Sequence, residues 1–285
     1  MKTPTLTQRL ERAAAWGPLS ISIPHVEPVA ARIDPRTERA IAAKPGEIAM
    51  ISVRGVIVPR ENALSNFFGE VGSEDIARRV RAAMSDRKVK AIVLDVDTPG
   101  GSAFGVAEAV EEIKASRGAK PIIAHADYVM ASAGYHLATA ADEIVASPSA
   151  EIGNVGVLAL HRDISEALSG AGIKITAIEQ PVGKSDGWPF FPLSDSYREE
   201  VQASVDATYE VFAGHVADAR GVDRGVIARD FVKMHVAKSA KEIGMIDKIR
   251  TMSETIGAYT QSAGAPVALR QALLSHRRKY GAYSQ

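Results

Sequence analysis

Three glycine-bearing turns and one lysine-bearing loop hold the residue types that could do chemistry in this chain. The first turn is Asp97-Thr98-Pro99-Gly100-Gly101, which follows an apolar run and precedes a helical pattern. Two adjacent glycines let the backbone present N–H groups to a ligand, and a following helix adds a positive dipole. Both suit a developing oxyanion, although a plain strand-to-helix turn has the same sequence. The second is Ala131-Ser132-Ala133-Gly134-Tyr135, where Ser132 opens a helix among small residues that leave room for a substrate backbone. Ser132 reads either as an N-cap or as a nucleophile. The third, Ile152-Gly153-Asn154-Val155-Gly156, reads as a turn with close backbone packing.

A serine hydroxyl needs a base. The chain has seven histidines. His125 and His136 flank Ser132 in sequence and read as structural, whereas His161 is the best histidine for a triad. The other candidate is Lys184, in the Gly- and Pro-rich stretch PVGKSDGWPFFPLSD with one Trp and two Phe. A lysine drawn into an apolar setting loses its charge more readily and becomes a usable base; a solvated loop lysine is the alternative.

The elements that would position these groups alternate between strand and helix. Ile48–Val58 is a strand pattern closed by Pro59. Ser73–Met84 has helical spacing, with Ser73 as N-cap and Ile76 and Val80 on one face. Lys90–Asp97 and Pro121–Ala126 are near-continuous apolar runs, the mark of strands buried on both faces. Val106–Ala115 and Ala131–Ala141 read as helices, and Glu143–Ser147 as a short strand. Val155–Leu160 and Ile173–Glu179 read as strands around a helix at Ile164–Ala171, and a long helix runs from Ser194 to Arg220. This alternation predicts a parallel α/β core, with the site at its strand-to-helix turns. Residues 1–46 read as a peripheral arm or linker, with a short helix at Thr7–Trp16; 47–250 form the main domain and 251–285 a helical tail.

The chain has 285 residues, 46% hydrophobic and 24% charged, enough to build a core without metals or disulfides. Cysteine is absent, which excludes a thiol nucleophile and thiolate metal sites. With 34 basic and 34 acidic residues there is no surplus pointing to nucleic acid. No apolar run approaches the ~18 residues of a spanning helix, and the first residues lack a signal-peptide pattern, so a soluble, cytoplasmic protein is expected.

The stretches Leu94–Ser102, Tyr128–Val157 and Gly183–Asp195, with the weaker Lys238–Ile249, together resemble the signal peptide peptidase A family of serine peptidases, closest to its phage capsid-assembly branch. The resemblance runs from about 47 to 250. It implies a fold like those of Clp protease and crotonase, built of repeated ββα units. It implies a serine–lysine dyad, with Ser132 as nucleophile and Lys184 as general base, and Gly100 or Gly101 as oxyanion donor. No cofactor or metal is implied. The expected substrates are scaffold or capsid proteins, and the expected assembly is a closed homo-oligomer. Asn154 stands where the family commonly has serine. Other readings are a signal-peptide-degrading peptidase, a serine–histidine peptidase of Clp type using His161, a crotonase-like acyl-CoA enzyme, and a non-catalytic capsid-assembly protein.

Overall fold

The computed structural model describes residues 19–21, 48–62, 64–118 and 120–261. Its central sheet is mainly parallel. β2 (Ile48–Arg54), β5 (Ala91–Thr98) and β7 (Ile122–Ala131) lie side by side, β8 (Glu143–Ala146) and β9 (Glu151–Gly153) both pair with β7, and β11 (Lys248–Ile249) extends β8. The antiparallel β10 (Met234–Val236) closes the β9 edge. The α/β core expected from the alternation is therefore present.

β5 shows why the apolar runs are continuous. Ile92, Leu94 and Val96 face one core with Ile76 and Val80 of the helix Ser73–Ser85 and with Val110 and Ile113 of the helix Val106–Ala115. Ala91 and Val93 face a second core with Met252 and Ile256 of the helix Met252–Gln261. A strand covered on both faces is apolar over most of its length, and the polar residues of β5 gather at its end, where Arg54 donates to Asp95 at 3.0 Å.

A smaller sheet has the order β1 (Leu19–Ile21), β6 (Gly100–Ser102), β3 (Val56–Val58), β4 (Glu70–Gly72). The single strand expected over Ile48–Val58 is thus two. Gly55, at φ 89°, turns the chain from β2 into β3, and a Cβ there would lie 2.1 Å from the Gly69 carbonyl oxygen. β5 makes the same crossing into β6 at Pro99, so the Gly-Gly turn sits on the seam between the sheets. Thr98 Oγ1 fastens that seam by donating to the Gly55 carbonyl at 2.5 Å.

Three further expectations are corrected. The helix at Ser73 is capped by Gly72, and Ser73 is its first residue. Val155–Leu160 and Ile173–Glu179 form no strand; only an isolated bridge occurs, at Leu158. Both have apolar side chains of strand type, but a strand exists only where a neighbour takes its N–H and C=O groups in a ladder, and among the described residues none forms one with them. The helix Ser165–Gly170 lies between them as expected, and the long helix Asp195–Arg220 starts where Ser194 Oγ accepts the Tyr197 N–H. The helix expected at Thr7–Trp16 lies outside the described residues.

Candidate active site

The β7 strand carries the Ser132 turn. Its first half pairs with β8 and its second half, Val129–Ala131, with β9, so it runs five residues past the expected end at Ala126. The chain then turns at Ser132 into the helix Ala133–Ala138. Ser132 has φ 54° and ψ −120°, a conformation that costs a non-glycine residue on the order of 1–3 kcal/mol. Strain of this kind is the signature of a serine held on a sharp strand-to-helix elbow.

The surroundings over-determine that geometry. The Ser132 N–H donates to the Gly153 carbonyl at 2.9 Å, and the Ser132 carbonyl accepts from the His136 N–H at 2.9 Å. Gly153 sits at φ 149°, and a Cβ there would meet the Lys233 carbonyl oxygen at 1.9 Å. The third turn is therefore a brace for the second. Gly134 lets the short helix approach β5, since a Cβ would come within 2.2 Å of Thr98 Cγ2. At the helix's other end, Arg117 donates to the carbonyls of Thr139, Ala140 and Ala141 at 3.2, 2.8 and 2.7 Å. A guanidinium there satisfies carbonyls that the helix leaves open and complements its dipole.

Gly100 has φ 103°, and its N–H donates to Thr98 Oγ1 at 3.0 Å. Gly101 is in register with Ile57 of β3, so close that a Cβ would lie 2.0 Å from the Ile57 carbonyl oxygen. On its other side β6 pairs antiparallel with β1, Ser20 lying opposite Gly101. The turn thus stands on a strand edge that accepts an antiparallel partner.

Ser132 and Lys184 differ in exposure. Ser132 is fully buried, whereas Lys184 is exposed and makes no hydrogen bond to it. Lys184 lies in a turn held by its own backbone, its N–H donating to the Pro181 carbonyl at 3.3 Å. That turn is also tied to Glu179, whose carboxylate accepts from the N–H groups of Gly183 and Ser185 at 2.8 Å each. A hydrogen bond from the Ser185 side chain, together with these N–H groups, holds Glu179 below the usual carboxylate range. His161 is half-buried, with Nε2 at 3.4 Å from the Trp188 carbonyl oxygen.

His125, read as structural, is buried between Thr255 and Ser147, with Nδ1 at 3.1 Å and Nε2 at 3.3 Å from their hydroxyls. Burial pushes it down to about 4. His136, which also reads as structural in the sequence, belongs to a cluster on the helix that follows Ser132. Its Nε2 lies 2.8 Å from His215 Nδ1, and its ring stacks on Phe212 at 4.3 Å. No local signal could have found this cluster, because 79 residues separate the two histidines. Among the described residues there is no group of acidic or histidine side chains able to hold a metal ion, and no helix long and apolar enough to cross a membrane.

Residues 114–265, just over half the chain, match peptidase family S49. The chain is 33% identical over 222 residues to the capsid assembly protease C of Escherichia phage lambda, covering 78% of this chain and 50% of that protein. It is 29% identical over 220 residues to the head-tail preconnector protein GP5 of Enterobacteria phage P21, covering 77% and 44%. Protease 4 of Salmonella typhi is 31% identical over 230 residues, covering 76% and 35%. The chain thus spans half or less of the length of these relatives. Among solved structures, ClpP1 from Listeria monocytogenes is similar with a TM-score of 0.44 and 14% identity, covering 74% of this chain and 95% of that one. The extent of the first match decides the assignment: the chain belongs to peptidase family S49, a family of serine-type peptidases.

Proposed function

We propose that this chain is a serine endopeptidase in which Ser132 is the nucleophile and Lys184 the general base, acting on scaffold or capsid proteins during phage head assembly. The observation that carries the reading is the strained Ser132 elbow, braced by Gly153 and set beside the Gly-Gly turn. The phage relatives, named as a capsid assembly protease and a head-tail preconnector, support the substrate class.

In this mechanism Lys184, in its neutral form, accepts the proton from Ser132 Oγ as that oxygen bonds to the peptide carbonyl carbon. The oxyanion is held by backbone N–H groups. The Gly100 N–H is engaged by Thr98, which favours Gly101 as one donor. The Ala133 N–H, in the first turn of its helix where intrahelical partners are lacking, is the other. The protonated lysine then gives its proton to the leaving amine as the C–N bond breaks, and water hydrolyses the acyl-enzyme. Because Lys184 is exposed and Ser132 buried, the reading includes a lysine donated to Ser132 by a neighbouring copy in a closed homo-oligomer. The test is fluorophosphonate labelling with peptide hydrolysis. Wild type is expected to label at Ser132 and to cut peptides, and Ser132→Ala to do neither while keeping its circular dichroism spectrum. Undiminished hydrolysis by the alanine variant would remove Ser132 from the mechanism.

A further inference from the structure

Beside the nucleophile turn lies a cleft of about 290 Å³. Ala133 lines it directly after Ser132, and Ala103 lines it two residues after Gly101. A substrate residue whose carbonyl sits between Ser132 and the Gly-Gly turn would therefore direct its side chain into this space. The walls are apolar: Phe104, Val157, Val211 and Phe212 line them with the two alanines.

The polar groups in the lining are Glu108, Thr208 and His136, and all three offer acceptors. Glu108 is an exposed carboxylate at the N-terminal turn of the helix Val106–Ala115. Thr208 Oγ1 spends its proton on the Ser204 carbonyl at 2.8 Å, so its lone pairs are what remain.

His136 follows from hydrogen-bond logic. His215 Nε2 lies 3.1 Å from Glu111 Oε1, and a carboxylate only accepts, so this nitrogen carries the proton. Neutral His215 is then bare at Nδ1, and His136 must donate to it from Nε2 across their 2.8 Å contact. Neutral His136 is in turn bare at Nδ1. Both rings are held neutral, because burial lowers their proton affinity, with further repulsion from Lys114. Phe212 covers one ring face and His215 takes Nε2, which leaves Nδ1 as the ring nitrogen free for a ligand in the cleft.

We infer that this cleft is the subsite for the residue on the acyl side of the cut bond (P1), and that it selects a side chain with an apolar stem and a hydrogen-bond-donating head: lysine, arginine or glutamine. His136 Nδ1 reads the donor, Glu108 adds preference for a cation, and the Glu111–His215 pair fixes the tautomer that makes the reading possible. The inference rests on the peptidase reading and specifies it.

The test uses fluorogenic peptides identical except at P1, with Lys, Arg, Gln, Met, Leu or Glu, and reads ratios of kcat/KM. Gln and Met are close in length and differ in the donor. Wild type is expected to favour Gln over Met about tenfold, as for one hydrogen bond made or lost against a desolvated acceptor. Lys should exceed Gln, and Glu should be the poorest. His136→Phe should bring the Gln-to-Met ratio close to one, and Glu108→Gln should remove the advantage of Lys over Gln; a general loss of structure would lower every substrate together and leave the ratios. Wild type preferring Met or Leu, or a ratio unmoved by His136→Phe, would overturn the inference. If the variant fails to fold, nitrogen-15 spectra of the wild-type imidazoles decide: the proton of neutral His136 is expected on Nε2, and a proton on Nδ1 would overturn it. A protein that cuts none of the peptides and takes no fluorophosphonate at Ser132 refutes the peptidase reading itself, an outcome distinct from active cleavage with the wrong P1 preference.

Discussion

A serine at φ 54° is useful only if its neighbours cannot relax, and two glycines of one motif test that claim against each other. Gly153→Ala places a Cβ 1.9 Å from the Lys233 carbonyl oxygen at a φ of 149°, so the backbone that receives the Ser132 N–H must move. Gly156→Ala meets nothing within 4 Å. The first change is expected to cost roughly 2 kcal/mol or more and most of the activity, the second less than about 0.5 kcal/mol, as measured by urea unfolding and peptide hydrolysis. The strain at Ser132 was not legible in ASAGY, because the same letters serve an ordinary N-cap; the brace comes from Gly153, which is distant in sequence. What the sequence did carry was small side chains, Ala131, Ala133 and Gly134, where crowding allows nothing larger. For the base, Lys184→Ala is expected to be as damaging as Ser132→Ala and the double variant little worse than either, whereas His161→Ala should be nearly harmless. Loss of activity on the histidine change alone would favour a triad.

Titration at the residue scale also has a signed consequence for stability. His125, His136 and His215 are all pushed below the ordinary histidine range, in each case mainly by burial. Their unfolded forms bind protons near pH ~6.5 while the folded forms do not, so stability falls as pH drops through that value. For His125 the loss continues to about pH 4. Burial raises Asp95 and Asp97, which has the opposite sign but operates nearer the carboxylate range. Tm is therefore expected to fall steadily between about pH 7 and pH 5, and His125→Gln to flatten that fall. A Tm independent of pH across this interval would contradict the buried neutral histidines.

At the scale of elements, the buried strands were legible because a strand covered on both faces must be largely apolar, as Ala91–Leu94 of β5 and Ile122–Ala124 of β7 are. The second half of β7 was not, because its pairing with β9 depends on a segment more than twenty residues away. Ile173–Glu179 shows the reverse failure: strand-like residues without a strand, because nothing among the described residues completes the ladder. The edge beside Gly100–Ser102 is where pairing has functional weight. Leu19–Ile21 lies antiparallel along it, with Ser20 opposite Gly101, on the edge beside the proposed oxyanion donor, where an extended substrate could pair. Removing residues 1–46 is expected to raise kcat/KM for short peptides severalfold, mainly through a lower KM, since a main-chain ladder on that edge would no longer have to be displaced. Unchanged or lower kcat/KM in a folded truncated chain would mean that the arm does not compete with substrate.

At the scale of the whole molecule, the segment between β9 and the long helix Asp195–Arg220 stands apart from the core it follows. Ile178 is 99% exposed and Val182 91%, with Leu160, Ile173 and Trp188 more than half exposed, and this same segment carries Lys184. So many exposed apolar side chains on one excursion are not covered by other described residues, and the strand-like stretches there join no ladder among them. Part of the aromatic cluster is satisfied internally, Trp188 meeting Phe190 edge-on at 6.0 Å, so the unmet surface lies chiefly along Leu160 to Val182. The expectation is that a second copy covers this segment and that the lysine crosses with it. Mixing Ser132→Ala with Lys184→Ala, each inactive alone, would then create some sites with both groups intact. Activity should return after subunit exchange, to at most about a quarter of wild type for random neighbours in a closed ring. Ile178→Lys should act at the same surface, lowering both the sedimentation coefficient and the activity at working concentration without changing the circular dichroism spectrum. Proven exchange without regained activity would place Ser132 and Lys184 in one chain, and would require the exposed segment to fold back onto its own core before the serine can react.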